Sequence, residues 1–296
     1  MSVQITTAFV QQYGATLEHL VQQRGSKLRG SVTIDSGIVG KRAFYDQIGS
    51  TAAQAPSSRH ADSPLISTPH ARRIIDLSDR EVGDLIDKDD MVRTLVDPTN
   101  SYTQAFGMAL GRSQDDFIID AATGTALTGE TGATSETHDT TNQQVAVNLS
   151  GASEGLTLAK IVRANKILRD NDAVVDGDPL TFVAGTTQLE NLLNDSTITS
   201  ADFNSVRLLM AGDITSFMGF NWIIMTRLSL NTSTDVRTCL AYTKSGIKLG
   251  IGRDITHRVG ERSDKRFSMY AFSNMTIGAT RMEQEKVVSI LCDESP

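Results

Sequence analysis

Residues 30–95 carry too little apolar surface to enclose a core of their own, and this limits what the whole chain can become. The stretch opens on SVTIDSGIVGKRAFYDQIGS, where short β-like pieces around Val32–Ile34 and Ala43–Ile48 are broken by Gly37, Gly40 and Gly49. TAAQAPSSRHADSPLISTPHARR follows and holds three of the chain's six prolines, Pro56, Pro64 and Pro69. Backbone lacking N–H groups, set among Ser, Ala and Thr, favours an extended irregular excursion. Seven acids then fall between Asp76 and Asp90, with Ile74, Ile75, Leu77, Val82, Leu85 and Ile86 threaded around them. The expectation is a long loop whose sparse apolar side chains must be covered by something else.

A core has to come from the rest. The chain has 296 residues, 39% hydrophobic and 21% charged, an ordinary globular balance long enough to bury most of its apolar surface. Residues 1–25 are Gln-rich with a narrow helical stripe of Phe9, Tyr13, Leu17 and Leu20, read as a helix on its own domain or an arm on a neighbouring subunit. Asp97-Pro98 combines an N-cap acceptor with a first-turn proline, and Tyr102, Phe106, Leu110, Phe117 and Ala121 recur at helical spacing. A helix over 98–122 is expected, ~37 Å long. Gly107 and Gly111 lie four apart on one of its faces, where another backbone could come close. Residues 123–153, with eight Thr and four Gly, read as an exposed loop or ribbon in extended backbone, with one strand at Gln144–Leu149.

The second half reads as α+β. Leu158, Ile161, Val162 and Leu168 stripe a helix over 157–169, Leu180–Ala184 is a short apolar strand, and Thr187 with Glu190 suggests a capping box for a helix through Leu193. Gly212 and Gly219 mark turns before a strand at Asn221–Thr226. Val236–Tyr242 fits either helix or strand. Ile247, Leu249 and Ile251 alternate like a half-buried strand. A β ribbon over 254–259 and 267–280, turning at GERSDKR, and a last strand Lys286–Leu291 complete the chain.

No residue set points to catalysis, a cofactor or a metal. Cys239 and Cys292, in apolar runs, read as buried free thiols and exclude a disulfide scaffold. His19, His60, His70, His138 and His257 lack metal-ligand spacing, and no phosphate-binding or nucleophile-elbow motif occurs. Gly250-Ile251-Gly252 precedes Arg253-Asp254 rather than a helix and reads as a turn. Asp115-Asp116 reads as a solvated helix surface, since adjacent helix residues face different ways. Asp84, Asp87, Asp89 and Asp90 lack the order of a calcium-binding loop. They read as a solvated face or as counter-charge for a neighbour's basic residues, the basic zones being Arg24, Lys27, Arg29, Lys41 and Arg42, and Arg72-Arg73. A net charge of -7 and 5% aromatic residues argue against a tight nucleic-acid binder. No apolar run is long enough for a membrane-spanning helix, and the start lacks a secretory signal, so a chain mature from its first residue and made in a reducing compartment is expected.

The wording of several segments carries a resemblance. FYDQIGSTAA and RHADSPLISTPHARRIIDLSDREVGDLIDKDDMVRTLVDP resemble the E-loop and its return in the major capsid proteins of tailed bacteriophages, which have the HK97-type fold. SYTQAFGMALGRSQDDFIIDAATG resembles their spine helix. VRTCLAYTKSGIKLGIGRDITHRVGERSDKRF and TIGATRMEQEKVVSILCDE resemble the late A-domain and closing P-domain strands. The resemblance implies an α+β fold with an N-terminal arm (1–29), an extended E-loop and return (30–95), a P-domain spine helix and loop (96–155), an α+β A-domain (156–255) and closing P-domain strands (256–296).

It also implies a non-enzymatic subunit that assembles with many copies of itself, as hexamers and pentamers, into an icosahedral shell around double-stranded DNA. Further implied partners are a portal protein, a decoration or cement protein and DNA held by weak non-specific contact, with no membrane. No long extra segment precedes the arm, so a separate scaffolding protein is expected. The expected location is the virion, after assembly in the bacterial cytoplasm. A lysine–asparagine crosslink of the kind some shells use is not indicated at Lys41, for which no spacing identifies a partner. The rival reading is an encapsulin-like compartment shell of the same fold.

Overall fold

A computed structural model describes residues 22–55, 57–59, 62, 65–87, 99–175, 177–194 and 216–295. The stripe at Phe9–Leu20, the Asp97-Pro98 start signal, Pro56, Pro64, His19, His60, Asp89, Asp90 and Gly212 lie outside the described residues. The fold is mixed α/β and divides into two units. The larger comprises Lys27–Ser78, Ser113–Arg253 and Thr276–Pro296, and the smaller Met1–Ser26, Asp79–Arg112 and Asp254–Met275.

The larger unit is organised on a sheet with the order β7-β15-β12-β8-β10-β9. These strands are β7 (Gln144–Val145), β8 (Leu180–Ala184), β9 (Ser216–Phe217), β10 (Phe220–Ile224), β12 (Val236–Thr243) and β15 (Val287–Asp293), with β11 (Leu230–Asn231) pairing beside β12. Every residue of β8 is buried, as an apolar run between two neighbours requires. Phe182 of β8 stacks on Trp222 of β10 with ring centroids 4.3 Å apart. Val236–Thr243 is a strand because its inner residues Leu240–Tyr242 are flanked on both sides, by β15 and β8. The helix Leu158–Asp170, called α2 below, buries Ile161, Ala164, Ile167 and Leu168 at helical spacing. A third helix, Thr186–Asn194 (α3), includes Thr187 within its first turn, so the expected capping box is not formed there; Thr187 instead hydrogen-bonds Glu294.

A second sheet has the order β2-β3-β5-β6, from β2 (Arg42–Ile48), β3 (His70–Asp76), β5 (Ala126–Thr128) and β6 (Thr134–Glu136). Strands β2 and β3 form an antiparallel pair running from Arg42↔Asp76 to Ile48↔His70. This corrects the reading of 70–86 as irregular loop: Ile74 and Ile75 are buried strand residues, and Ser78–Ile86 is strand β4. Of the loop or ribbon expected over 123–153, the ribbon is formed by β5 and β6, while the strand expected at 144–149 is only two residues long.

The third sheet has the order β1-β13-β14-β4, with β1 (Thr33–Ser36), β13 (Ile247–Arg262) and β14 (Ser268–Arg281). Gly250 and Gly252 sit inside β13, not in a turn. A Cβ at Gly250 would lie 2.7 Å from Ile38 Cδ1, so the glycine makes room for a side chain, not for a bend. The ribbon's tip falls at 263–267, where Arg266 and Phe267 take positive φ.

The long helix is Thr99–Thr123 (α1), within a residue of expectation. Its residues Ser113–Thr123 belong to the larger unit, where Ile118, Ile119 and Ala122 are buried. Thr99–Arg112 belong to the smaller unit, where Phe106 and Leu110 are buried and Tyr102 meets Phe106 edge to face. Also in that unit, Tyr270 and Phe272 stack at 5.8 Å.

Candidate functional site

The built features of this protein are anchors that fix extended segments and surfaces left open beside them. The deepest anchor is Asp115, fully buried in the larger unit, whose carboxylate accepts the backbone N–H groups of Lys27 and Leu28 at 3.0–3.1 Å. The next residue, Asp116, takes a bidentate pair from Arg227 at 2.6 and 2.8 Å. The sequence expectation of a solvated carboxylate pair is therefore corrected: the two acids do face different ways, but one fixes the residues before β1 and the other pairs with a cation.

The β2–β3 hairpin is fixed at its inner face. Arg73 is 7% exposed, donates through Nε to the Met282 carbonyl at 2.9 Å and holds Glu136 bidentately at 2.6 and 2.9 Å. That hydrogen bonding keeps the Glu136 carboxyl below the ordinary carboxylate range. Gln47 donates to the same Met282 carbonyl at 3.0 Å. Arg281, with no exposed surface to speak of, donates to the Ala122, Gly124 and Glu136 carbonyls at 2.9–3.3 Å. On the outer face, Arg42 pairs with Asp76 and Arg72 with Asp46, so these basic residues answer acids of their own sheet. That corrects the expectation that they wait for a neighbour's acids.

What the anchors leave uncovered is apolar. Phe44 is 48% exposed, Ile48 72%, and beyond them Leu65 is fully exposed. Buried groups elsewhere are structural. Lys160 has no exposed surface, donates to the Glu154 and Leu291 carbonyls at 2.6 and 2.9 Å, and is pushed down in pKa by burial. Cys239 and Cys292 are buried free thiols, as expected, and the hydrogen bond between them, with burial, raises the Cys239 pKa. Arg237 of β12 makes a bidentate pair to Glu294, just past β15, at 2.5 and 2.9 Å.

A groove of about 650 Å³ runs along α2, lined by Leu149, Leu158, Ala159, Val162, Arg163 and Lys166 among others. Glu154 is also in the lining and accepts the Ser150 hydroxyl at 3.2 Å. No group of acids, histidines and cysteines among the described residues is arranged to hold a metal ion. No described helix is long and apolar enough to cross a membrane.

The built features described in this mixed α/β chain are segment anchors and open apolar surfaces. The chain belongs to the phage capsid protein family, whose model matches residues 5–294. No curated protein is a significant match in sequence. Among solved structures, the head of Helicobacter pylori bacteriophage KHP40 aligns with a TM-score of 0.76 at 9% identity, covering 100% of this chain and 99% of that one. The capsid of cyanophage P-SCSP1u aligns at 0.74 and 13% identity, covering 98% and 95%. Mycobacterium phage Che8 aligns at 0.68 and 15% identity, covering 96% and 97%. Identities this low establish a shared fold. The sequence reading assigned no catalytic, cofactor or metal residue, and it missed Asp115 and Arg281, whose roles depend on backbone groups that no residue pattern announces.

Proposed function

We propose that this chain is the major subunit of an HK97-type icosahedral shell, assembling as hexamers and pentamers around double-stranded DNA. The observation that carries the reading is the pairing of a capsid-family match over 5–294 with a hairpin anchored at Arg73 and apolar on its exposed side, at Phe44 and Ile48, with Leu65 exposed in the loop beyond it. Apolar side chains held out on an ordered support are what an obligate interface needs, because burying them against a neighbour supplies the association energy. In this reading residues 1–29 are the arm, 30–95 the E-loop and return, 96–155 and 256–296 the P-domain, and 156–255 the A-domain.

The same reading makes the protein non-enzymatic and assembled in the host cytoplasm with a portal, a separate scaffolding protein and, in some shells, a cement protein. A charge of -7 fits an inner wall that contains DNA without gripping it, since strong phosphate binding at every subunit would oppose packaging and release. Negative-stain microscopy of the expressed protein, alone and with the proteins encoded beside it, tests this: closed shells are expected. Dispersed monomers under all assembly conditions would overturn it, and shells filled with a protein cargo would favour a compartment over a virion.

A further inference from the structure

We propose that the groove along α2 is an interface between copies, and that its occupant is the acidic edge strand β4 of the next subunit. The inference rests on the shell reading above and adds which surfaces meet. In the groove, Leu158, Ala159, Val162, Arg163 and Lys166 recur at spacings of three and four, which puts them on one face of the helix. Val162 is 47% exposed and Leu149 beside it 39%. Arg163 is exposed and has no carboxylate partner among the described residues, unlike Arg42, Arg72, Arg73, Arg227 and Arg237. Among the described residues Lys166 pairs only with Asp170, on its own helix. The groove thus offers an apolar floor with Arg163 and Lys166 on its rim, and Glu154 also in its lining.

Strand β4 offers the complement. It is the terminal strand of its sheet among the described residues. Glu81, Asp84 and Leu85 are exposed on it, and neither Glu81 nor Asp84 meets a cation among the described residues. Leu85 is 38% exposed between Asp84 and Asp87. The dimensions agree: Glu81–Leu85 spans ~13 Å of strand, and Leu158–Lys166 ~12 Å of helix. Covering an open strand edge with a helix is also how proteins prevent unspecific edge pairing. Because the groove and the strand are different patches, the contact runs head to tail, the arrangement that closes into a ring of subunits.

Charge reversal in the full chain tests this, with shell yield read by sedimentation and microscopy, and monomer circular dichroism and thermal unfolding as folding controls. Arg163→Glu with Lys166→Glu should lower shell yield about tenfold or more, because like charges then face each other at every copy of the interface. Glu81→Lys with Asp84→Lys should do the same. All four changes together restore the original net charge and should return the yield to within about twofold of the unmodified chain. Unimpaired shells from either reversed pair overturn the proposal. So does failure of the fourfold variant to recover, which would assign the groove to a different protein. Equal recovery when the groove reversal is combined with Glu130→Lys and Glu190→Lys would also overturn it, since total charge alone would then explain the effect. If the unmodified chain forms no shells at all, it is the shell reading that fails.

Discussion

Asp115 holds the backbone of Lys27 from inside the larger unit: each of its carboxylate oxygens accepts the Lys27 N–H at 3.1 Å, and one also accepts the Leu28 N–H at 3.0 Å. A buried carboxylate is tolerable only when its charge is met by donors, and here the donors belong to the chain leading into β1. Asp115→Ala would leave those N–H groups unmet in the interior, and a loss of about 3 kcal/mol is expected in urea denaturation. Asp115→Asn keeps one acceptor oxygen and should lose about half as much. Amide exchange at Lys27 and Leu28 should rise in both variants, more in the alanine one.

The two glycines of α1 are not equivalent. A Cβ on Gly111 would fall 2.6 Å from Gly25 Cα, so the backbones of the smaller unit touch there with no room for a side chain. A Cβ on Gly107 would meet His257 Cε1 at an ordinary 3.5 Å. The sequence expectation of close backbone approach therefore holds at Gly111 and not at Gly107. Gly107→Ala should be neutral or stabilise by up to about 1 kcal/mol through helix propensity. Gly111→Ala should destabilise by about 1–3 kcal/mol despite the same propensity gain. Thermal unfolding of the two variants side by side checks the opposite signs.

The contrast between these glycines illustrates what could be read in advance. Elements set by local pattern were legible: α1 and α2 from apolar residues at three and four, β8 from a short continuous apolar run. Elements set by distant partners were not. Ile74 and Ile75 sit among acids and near prolines, so nothing local marks them as strand; they become one by pairing with β2. Gly250 and Gly252 resemble a turn until Ile38 and Leu77 are found occupying the space beside them. Asp115 and Asp116 are indistinguishable in sequence, and only the fold decides which of them meets backbone donors and which meets Arg227. The open surfaces were legible only as a shortage of apolar cover, without the faces on which it falls.

His138 should make stability pH-dependent in a window of its own. Burial, followed by the nearby Arg281 charge, lowers its pKa from 6.5 to about 4; Nε2 lies 3.0 Å from the Ser289 hydroxyl. The unfolded chain takes up the proton near pH 6.5, while the folded chain does so only near 4. Between those values the unfolded state binds more protons, so this contribution is complete above pH 6.5 and is lost as the pH falls toward 4. About 2 kcal/mol is expected once solvent screening is allowed for. Glu136 and Glu294, held below their ordinary 4.5, lose their contributions only at lower pH, so they do not mimic the effect. Denaturation midpoints between pH 7 and 5 should fall in the native chain and stay flatter in His138→Gln; an equal slope in both would remove His138 as the cause.

The loop beyond the hairpin can be separated from the fold. The Gly49 N–H donates to the Pro69 carbonyl at 2.9 Å, and Ile48 lies opposite His70, so the two ends of 50–68 already stand side by side. Replacing 50–68 with Asn-Gly, a pair suited to a tight hairpin turn, keeps all of β2 and β3 and shortens a loop whose closure entropy is modest. Folding stability should stay within about 1 kcal/mol of the full chain. Assembly should not survive, because Leu65 and Ile66, fully and 42% exposed on the single chain, are removed together with the apolar area they bring to a neighbour. Calorimetry reads the first expectation and microscopy the second. An unfolded variant would mean that the loop belongs to the core, and full-yield shells would mean that the hairpin alone, through Phe44 and Ile48, supplies the contact.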